Sequence, residues 1–480
     1  MKKTWLFVIL ALGFLVRLYR INFPLADWHS WRQADTAAVA RNYCQQGIDW
    51  FRPRFDDLSN IPSGQDNPQG WRFVEWPIYN VLHCQVYKIT SAFIPNFSFE
   101  AAGRLTAIFF SLASISLIYL LVKSLSGEKL ALLASFFLAV LPFNIYYSRT
   151  ILPESALMVF SLSWFYFFVV WLKTDRAWSY WLSLASFALA LLIKPYVIFF
   201  GLPLLYLWWK KDKLKIVKNW QAYLFLGLPL VGFIAWRWWM SHFPEGIPAY
   251  LWLLNQNGIR WRPAWFRWLF ADRLGRLILG YWGLIPFALG LIVKPGKHAG
   301  WFYHWWLAGI LVYLSVFATG NVTHDYYQVI TLPLICVFLA KGTEFLLKPP
   351  KKHFSLIIGY CLLFASLALM LGFSWFYVRD FFNINHPEIV LAGQAADQLL
   401  PPEAKVIAPY GGDTAFLYQT NRSGWPIGFE IQDKIDKGAT HYVSVNFDEE
   451  VNWLKDRCPV LHQAEQFVII DLQNCSQPLN

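Results

Sequence analysis

The residues best able to do chemistry in this chain stand in a few short polar stretches. The longest reads DWHSWRQADTAAVARNY and holds Asp27, His29, Arg32, Asp35 and Arg41. Its spacing predicts a helix on which Arg32 and Asp35, three apart, share a face. A carboxylate so placed can take a proton from an attacking hydroxyl or amine, and adjacent guanidinium groups can hold an anion. The plainer reading is a solvated helix with a surface ion pair. Three further turns weigh against it: YYSRTILPES with Arg149 and Glu154, LIKPY with Lys194, and NVTHDYYQ with His324, Asp325, Tyr326 and Tyr327.

Long apolar runs must position these turns. The 480 residues are 56% hydrophobic and 15% charged, well below the roughly 25% charge of an average soluble domain. Aromatic residues reach 19%, with 27 Trp, and many close an apolar run, where amphipathic rings favour the headgroup zone. Runs at 4–21, 103–122, 129–147, 154–172, 178–193, 195–209, 220–240, 277–293, 301–319, 326–346 and 354–377 predict an α-helical polytopic membrane protein with about eleven spans. The N-terminal stretch MKKTWLFVILALGFLVRLYR has no small-residue cleavage site before Arg17 and reads as a first span. Lys194-Pro195 predicts a tight turn at the membrane surface.

The net charge of +11 does not form a nucleic-acid stripe. It falls in alternate turns: Lys123 and Lys129, Lys173 and Arg176, Lys210 to Lys218, Lys294 and Lys297, and Lys348, Lys351 and Lys352. The positive-inside tendency puts these turns and the N-terminus in the cytoplasm, in a plasma or inner membrane. Three polar segments then lie outside. Residues 22–102 are far longer than a structural turn requires, and such loops usually carry function. Residues 241–276, with IRWRPAWFRWLF, predict an amphipathic helix lying in the interface. The third segment alternates short β-runs and helices and predicts a small α/β domain over 379–480, after a membrane domain over 1–378. Within it PYGGDT, Pro409 to Thr414, reads as a turn. Ionisable groups near membrane depth cost about 2.5–3.5 kcal/mol on insertion scales, so their recurrence in the outer turns points to a shared polar cavity.

Of the six Cys, Cys336 and Cys361 fall inside spans. Cys44 and Cys84 share the first loop, and Cys458 and Cys475 share the last domain, so each pair is expected to bridge in an oxidising compartment.

The order of these stretches resembles a known family. An acidic, Arg-containing helix follows span one; then come DWFRPRFDD and VEWPIYNVL, the long run from Ala101 to Met158, and HDYYQVITLPL. They are similar to the membrane glycosyltransferases of the glycosyltransferase-C superfamily, in the clan of dolichyl-phosphate-mannose protein mannosyltransferases and aminoarabinose transferases. The resemblance covers about residues 1–345. It implies a glycosyltransferase-C type fold and sugar transfer from a polyprenyl-phosphate donor to a lipid, protein or polysaccharide acceptor on the outer face. The catalytic acid of the family's first loop falls on Asp35 or Asp27. The family's Lys-Pro-Pro is replaced by Trp76-Pro77-Ile78 after Glu75, which leaves Arg32, Arg41, Arg149 or Lys194 to contact phosphate.

The mechanism so implied has Asp35 as base, with Asp27 the substitute, and inversion by direct displacement. Glu154 is a second acid that contacts the acceptor or holds a divalent ion, though no compact metal-ligand motif is present. Arg149, Lys194 and His324, with Tyr326 and Tyr327 nearby, contact the phosphate or headgroup. The rivals are a transporter of a lipid-linked saccharide, a polymerase or ligase using a diphosphate-linked donor, and a non-enzymatic scaffold. A transporter would favour internal repeats and mid-membrane charges, neither of which is evident.

Overall fold

The computed structural model describes residues 2–347 and 356–476. Lys348, Lys351 and Lys352 of the last basic turn lie outside them. Each of the eleven apolar runs carries helix, and among the described residues five helices are long and apolar enough to cross a membrane. The chain divides into two compact units that do not follow the expected boundary at 378/379. One comprises residues up to 19, 107–237 and 250–380; the other comprises 20–106, 238–249 and 381 onward.

The first unit is the helical bundle. Its central helix runs through Asp325–Leu347, where the apolar window is 89% buried, against 22% for Trp220–Met240. The former is packed all round by protein; the latter shows an apolar face of lipid-facing character. Helices Glu154–Thr174 and Ala177–Ile193 form a hairpin turned by Asp175 at φ 52°. Two glycines let helices Leu284–Ile292 and Leu332–Leu347 touch backbone to backbone. A Cβ on Gly290 would stand 1.9 Å from the Phe338 carbonyl oxygen, and one on Gly342 would stand 1.7 Å from that of Pro286.

The third apolar run is broken rather than continuous. Helix Glu128–Val140 stops before Pro142, which has no N–H to give the Leu138 carbonyl. The buried Arg17 guanidinium repairs the gap, donating to the carbonyls of Leu138 (3.3 Å) and Ala139 (2.9 Å) and to Ser148 Oγ (2.7 Å). At Lys194-Pro195 the chain is extended for one residue and then enters a 3-10 stretch, Pro195–Gly201. The expected amphipathic helix over 241–276 is continuously helical only from Pro263 onward, and short turns and 3-10 pieces precede it. Asn257 and Gly258 have φ near +53° and +65°, Pro263 restarts the helix, and Arg267–Ile278 winds as a π-helix.

The second unit is built on a five-stranded sheet: β1 (Lys405–Ile407), β2 (Ser423–Trp425), β3 (His441–Ser444), β4 (Val460–Gln463) and β5 (Val468–Asp471), in the order β2-β1-β3-β5-β4. β1 runs parallel to β2 and β3, while β5 is antiparallel to β3 and β4. The first loop closes the β2 edge. Gly424 N donates to the Asp56 carbonyl at 2.9 Å, and Leu58 N donates to the Gly424 carbonyl at 2.8 Å. Leu58 is buried with Ile407, Trp425 and Tyr442, and Ala26 with Ile389 and Phe416. An edge strand left open would pair with whatever it met, so the loop and the C-terminal segment make one unit.

Disulfides join Cys44 to Cys84, tying helix Ser30–Gln46 to helix Ile78–Phe93, and Cys458 to Cys475. Peptide-resolved alkylation of the denatured, unreduced protein should label only Cys336 and Cys361. Label on any of the other four without reductant would remove that bridge.

Candidate active site

Helix Ser30–Gln46 is buried along most of its length, because Ala34, Ala37, Ala38 and Ala40 leave room for close packing. Asp27 fastens its start: Gln33 Nε2 donates to its carboxylate at 2.8 Å. Arg104 lies 4.0 Å from the same carboxylate and donates to the Ile21 carbonyl at 2.8 Å. Both contacts tie Asp27 to the start of the helix.

Asp35 is placed differently. It is 3% exposed; Arg72 pairs with one oxygen, and the Thr414 hydroxyl donates to the other at 2.7 Å. Arg32 shares its helical face but pairs across to Glu75, so in place of the surface ion pair of the plainer reading there are two buried, crossed pairs. Asn80 Nδ2 donates to the Thr36 carbonyl at 2.7 Å. These side chains surround a cavity of about 20 Å³, room for roughly one water. A carboxylate oxygen can accept more than one hydrogen bond, so Asp35 keeps acceptor capacity beside the cavity.

Arg72 and Thr414 are the residues that sequence reasoning missed. PYGGDT does form a turn, with Gly411 and Gly412 at φ 61° and 84°. Asp413 then caps helix Thr414–Gln419 through Ala415 N at 2.7 Å, and that cap sets Thr414 against Asp35. Arg41, offered as a phosphate contact, is committed elsewhere in this unit. It pairs with Asp56, donates to the Tyr418 carbonyl at 3.1 Å and lies 4.4 Å over the Tyr418 ring.

Burial raises the carboxyl of Asp57 to about 6, against hydrogen bonds from Ser59, and raises that of Asp413 to about 6; the charge on Asp35 adds to both. The sign follows. Between about pH 4, where the unfolded carboxyl titrates, and pH 6 the folded state holds the extra proton, so stability falls as pH rises through that window. Asp57→Asn should therefore raise the thermal midpoint of the purified protein by a few degrees at pH 7.5 and have little effect at pH 4.5. An equal shift at both pH values would show that ionisation of Asp57 is not the cause.

The helical unit holds a second polar cluster. Glu154 opens helix Glu154–Thr174 and lies 3.7 Å from Lys194 Nζ, which ends helix Ala177–Ile193; both are buried. Lys194 Nζ also stands 5.9 Å from the Tyr327 ring centroid. His324, Tyr326 and Tyr327 stack at 5.3 Å and 4.8 Å, with Trp252 edge-on to His324. The Tyr147 hydroxyl donates to Asp325, and Arg149 is buried two residues on. The helix break at Lys194-Pro195 and the 3-10 turn Asp325–Thr331 place these side chains at helix ends. Among the described residues no three His, Cys, Asp or Glu side chains converge as a metal site, and Glu154 faces Lys194 instead. An apolar cavity of about 60 Å³ lies elsewhere in the bundle, bounded by Leu269, Ile278, Phe287, Ile310 and Phe338.

A multi-pass helical bundle joined to a loop-and-sheet unit, with polar clusters at helix ends, is a membrane protein of the glycosyltransferase-C fold. Residues 90–239 match the family model for dolichyl-phosphate-mannose-protein mannosyltransferase. The fold is similar to that of ArnT from Cupriavidus metallidurans bound to undecaprenyl phosphate, with a TM-score of 0.66, 13% identity and 98% of both chains covered. In its apo state ArnT gives a TM-score of 0.67 at 12% identity, again over 98% of both chains. The Archaeoglobus fulgidus oligosaccharyltransferase tethered to an acceptor peptide gives 0.58 at 11% identity, covering 92% of this chain and 69% of its own. No curated protein sequence matches.

Proposed function

We propose that this protein is a membrane glycosyltransferase that moves a sugar from a polyprenyl-phosphate donor to an acceptor at the outer face of the membrane, with inversion. The observation that carries the reading is Asp35: a buried carboxylate, oriented through both oxygens, beside a small polar cavity. The likeness to ArnT, which binds undecaprenyl phosphate, supports the donor class. Asp35 takes the proton of the acceptor hydroxyl or amine as that atom forms its bond to the anomeric carbon. The bond from carbon to phosphate oxygen breaks on the opposite side, and the phosphate leaves with the electron pair. Lys194 and Arg149 are the phosphate contacts we assign within the helical unit: Arg through its planar fork, Lys as a point charge. Glu154 keeps Lys194 aimed. The stacked His324, Tyr326 and Tyr327 line the headgroup side, and the apolar cavity offers surface to an isoprenoid chain.

The donor side can be tested without knowing the sugar. Undecaprenyl phosphate should bind the purified protein, and Lys194→Gln should weaken that binding roughly tenfold, the usual size of one charge-assisted contact. Binding unchanged by the substitution would take Lys194 out of the site. Movement of the lipid across sealed vesicles without any transfer would favour a transporter.

A further inference from the structure

The helical unit carries a cavity that the proposed reaction does not use. It measures about 630 Å³ and is lined by Lys123, Lys294, Lys297, His298, Lys341 and Glu344. Its place is set by helix Glu154–Thr174. Glu154 begins that helix, and near its other end the Lys173 ammonium donates to the Ser124 carbonyl in the cavity wall. At 1.5 Å rise per residue, its 21 residues span roughly 30 Å, one hydrocarbon thickness. The cavity therefore opens at the opposite end of the bundle from Glu154 and Lys194.

The charges there are unbalanced. Lys123 pairs with Glu128 at 3.5 Å, and Glu344 pairs with Lys129 at 3.8 Å. Among the described residues no carboxylate lies within ion-pair distance of Lys294, Lys297 or Lys341. Lys294 and Lys297 are exposed, but Lys341 is only 8% exposed, on a helix whose residues from Leu332 to Ala340 are all apolar. Its ammonium has a weak 3.4 Å contact with the Val293 carbonyl and stands 5.4 Å from the Phe338 ring. The positive-inside tendency accounts for lysines in such turns. It does not account for their convergence on one cavity, or for the burial of Lys341. The remaining wall combines Ser124 and Ser126 with the apolar side chains of Leu125, Leu130, Val293 and Phe345. Ammonium groups above aliphatic and aromatic side chains, at the end of membrane helices, match a phosphodiester headgroup with the first methylenes of its acyl chains.

We infer that this cavity is a binding site for an anionic glycerophospholipid of the leaflet opposite the proposed reaction. The chemistry recognised is a phosphodiester held by Lys294, Lys297 and Lys341. The inference is independent of the transferase reading, since none of these residues belongs to the Asp35 or Lys194 cluster.

Native mass spectrometry of the full-length protein, incubated with dioleoyl phosphatidylglycerol or dioleoyl phosphatidylcholine, tests it. The anionic lipid should be retained at least tenfold better, and a Lys294→Gln/Lys297→Gln variant should lose the preference at an unchanged thermal midpoint. Because Lys341→Gln alters a buried position, the exposed pair is the one to substitute. Equal retention of the two lipids, or an undiminished preference in the variant, overturns the site. Displacement of phosphatidylglycerol by millimolar glycerol phosphate would assign the cavity to a soluble phosphate compound and overturn the lipid.

Discussion

Asp35→Asn is expected to lower sugar transfer by at least about 100-fold, the lower range for loss of a general base, in protein that inserts and folds normally. Asn preserves the shape and can still accept the Thr414 hydroxyl, so the change removes basicity more than structure. It also removes one partner of Arg72, and the thermal midpoint must be read beside the rate. The matching control is Thr414→Val, which deletes the hydrogen bond and leaves the carboxylate. If Thr414 only positions the base, that variant keeps measurable turnover with a raised requirement for acceptor. Asp27→Asn should cost stability rather than chemistry, because Asp27 is engaged by Gln33 and Arg104 at the start of the helix. Wild-type transfer in Asp35→Asn, with a dead Asp27→Asn that still folds, would reverse the two assignments. The assay requires only labelled sugar on the lipid-phosphate pool of membrane vesicles, so the acceptor need not be known in advance.

Arg41→Met is expected to have the largest effect on stability. Removing one partner of a buried ion pair leaves the other charge uncompensated and typically costs about 3–5 kcal/mol. Arg41 and Asp56 form such a pair at the point where loop one meets β2, and burial already raises the Asp56 carboxyl against the pull of Arg41. The expected result is a thermal midpoint lowered by many degrees in Arg41→Met and largely restored when Asp56→Leu is added. If Arg41→Met is instead stable and loses only undecaprenyl phosphate binding, Arg41 is a donor contact after all.

Much of the helical unit was legible in the sequence because twenty-residue apolar runs have few alternatives. The interruptions were less so. Lys194-Pro195 announces its own break, whereas the break at Pro142 lies inside an unbroken apolar run, and its freed carbonyls are met by Asn144 and by Arg17, distant in sequence. The C-terminal β/α alternation was readable from its short β-runs. Its union with the first loop was not, since no local pattern says that residues 56–58 complete the edge of β2. The same blindness hid the neighbours of Asp35. The helical spacing of Arg32 and Asp35 gave them one helical face, and both line one cavity, but Arg72 and Thr414 come from segments with no periodic relation to that helix. Arg41 shows the same limit from the other side: a cation in a conspicuous stretch invites a ligand, and the carboxylate paired with it, Asp56, is visible only in the fold.

The closure of the sheet edge by loop one also imposes an order of assembly. Asp57 is synthesised long before Gly424, with most of the membrane helices between them. At about 5–20 residues per second, the loop waits roughly twenty to seventy seconds for its partner. During that interval Leu58 and the free backbone of the loop are displayed without the strand that covers them. Completion of this unit is therefore a late, post-insertional event, and a nascent chain stalled before β2 offers quality-control proteases a fully inserted bundle with an unfinished loop-and-sheet unit.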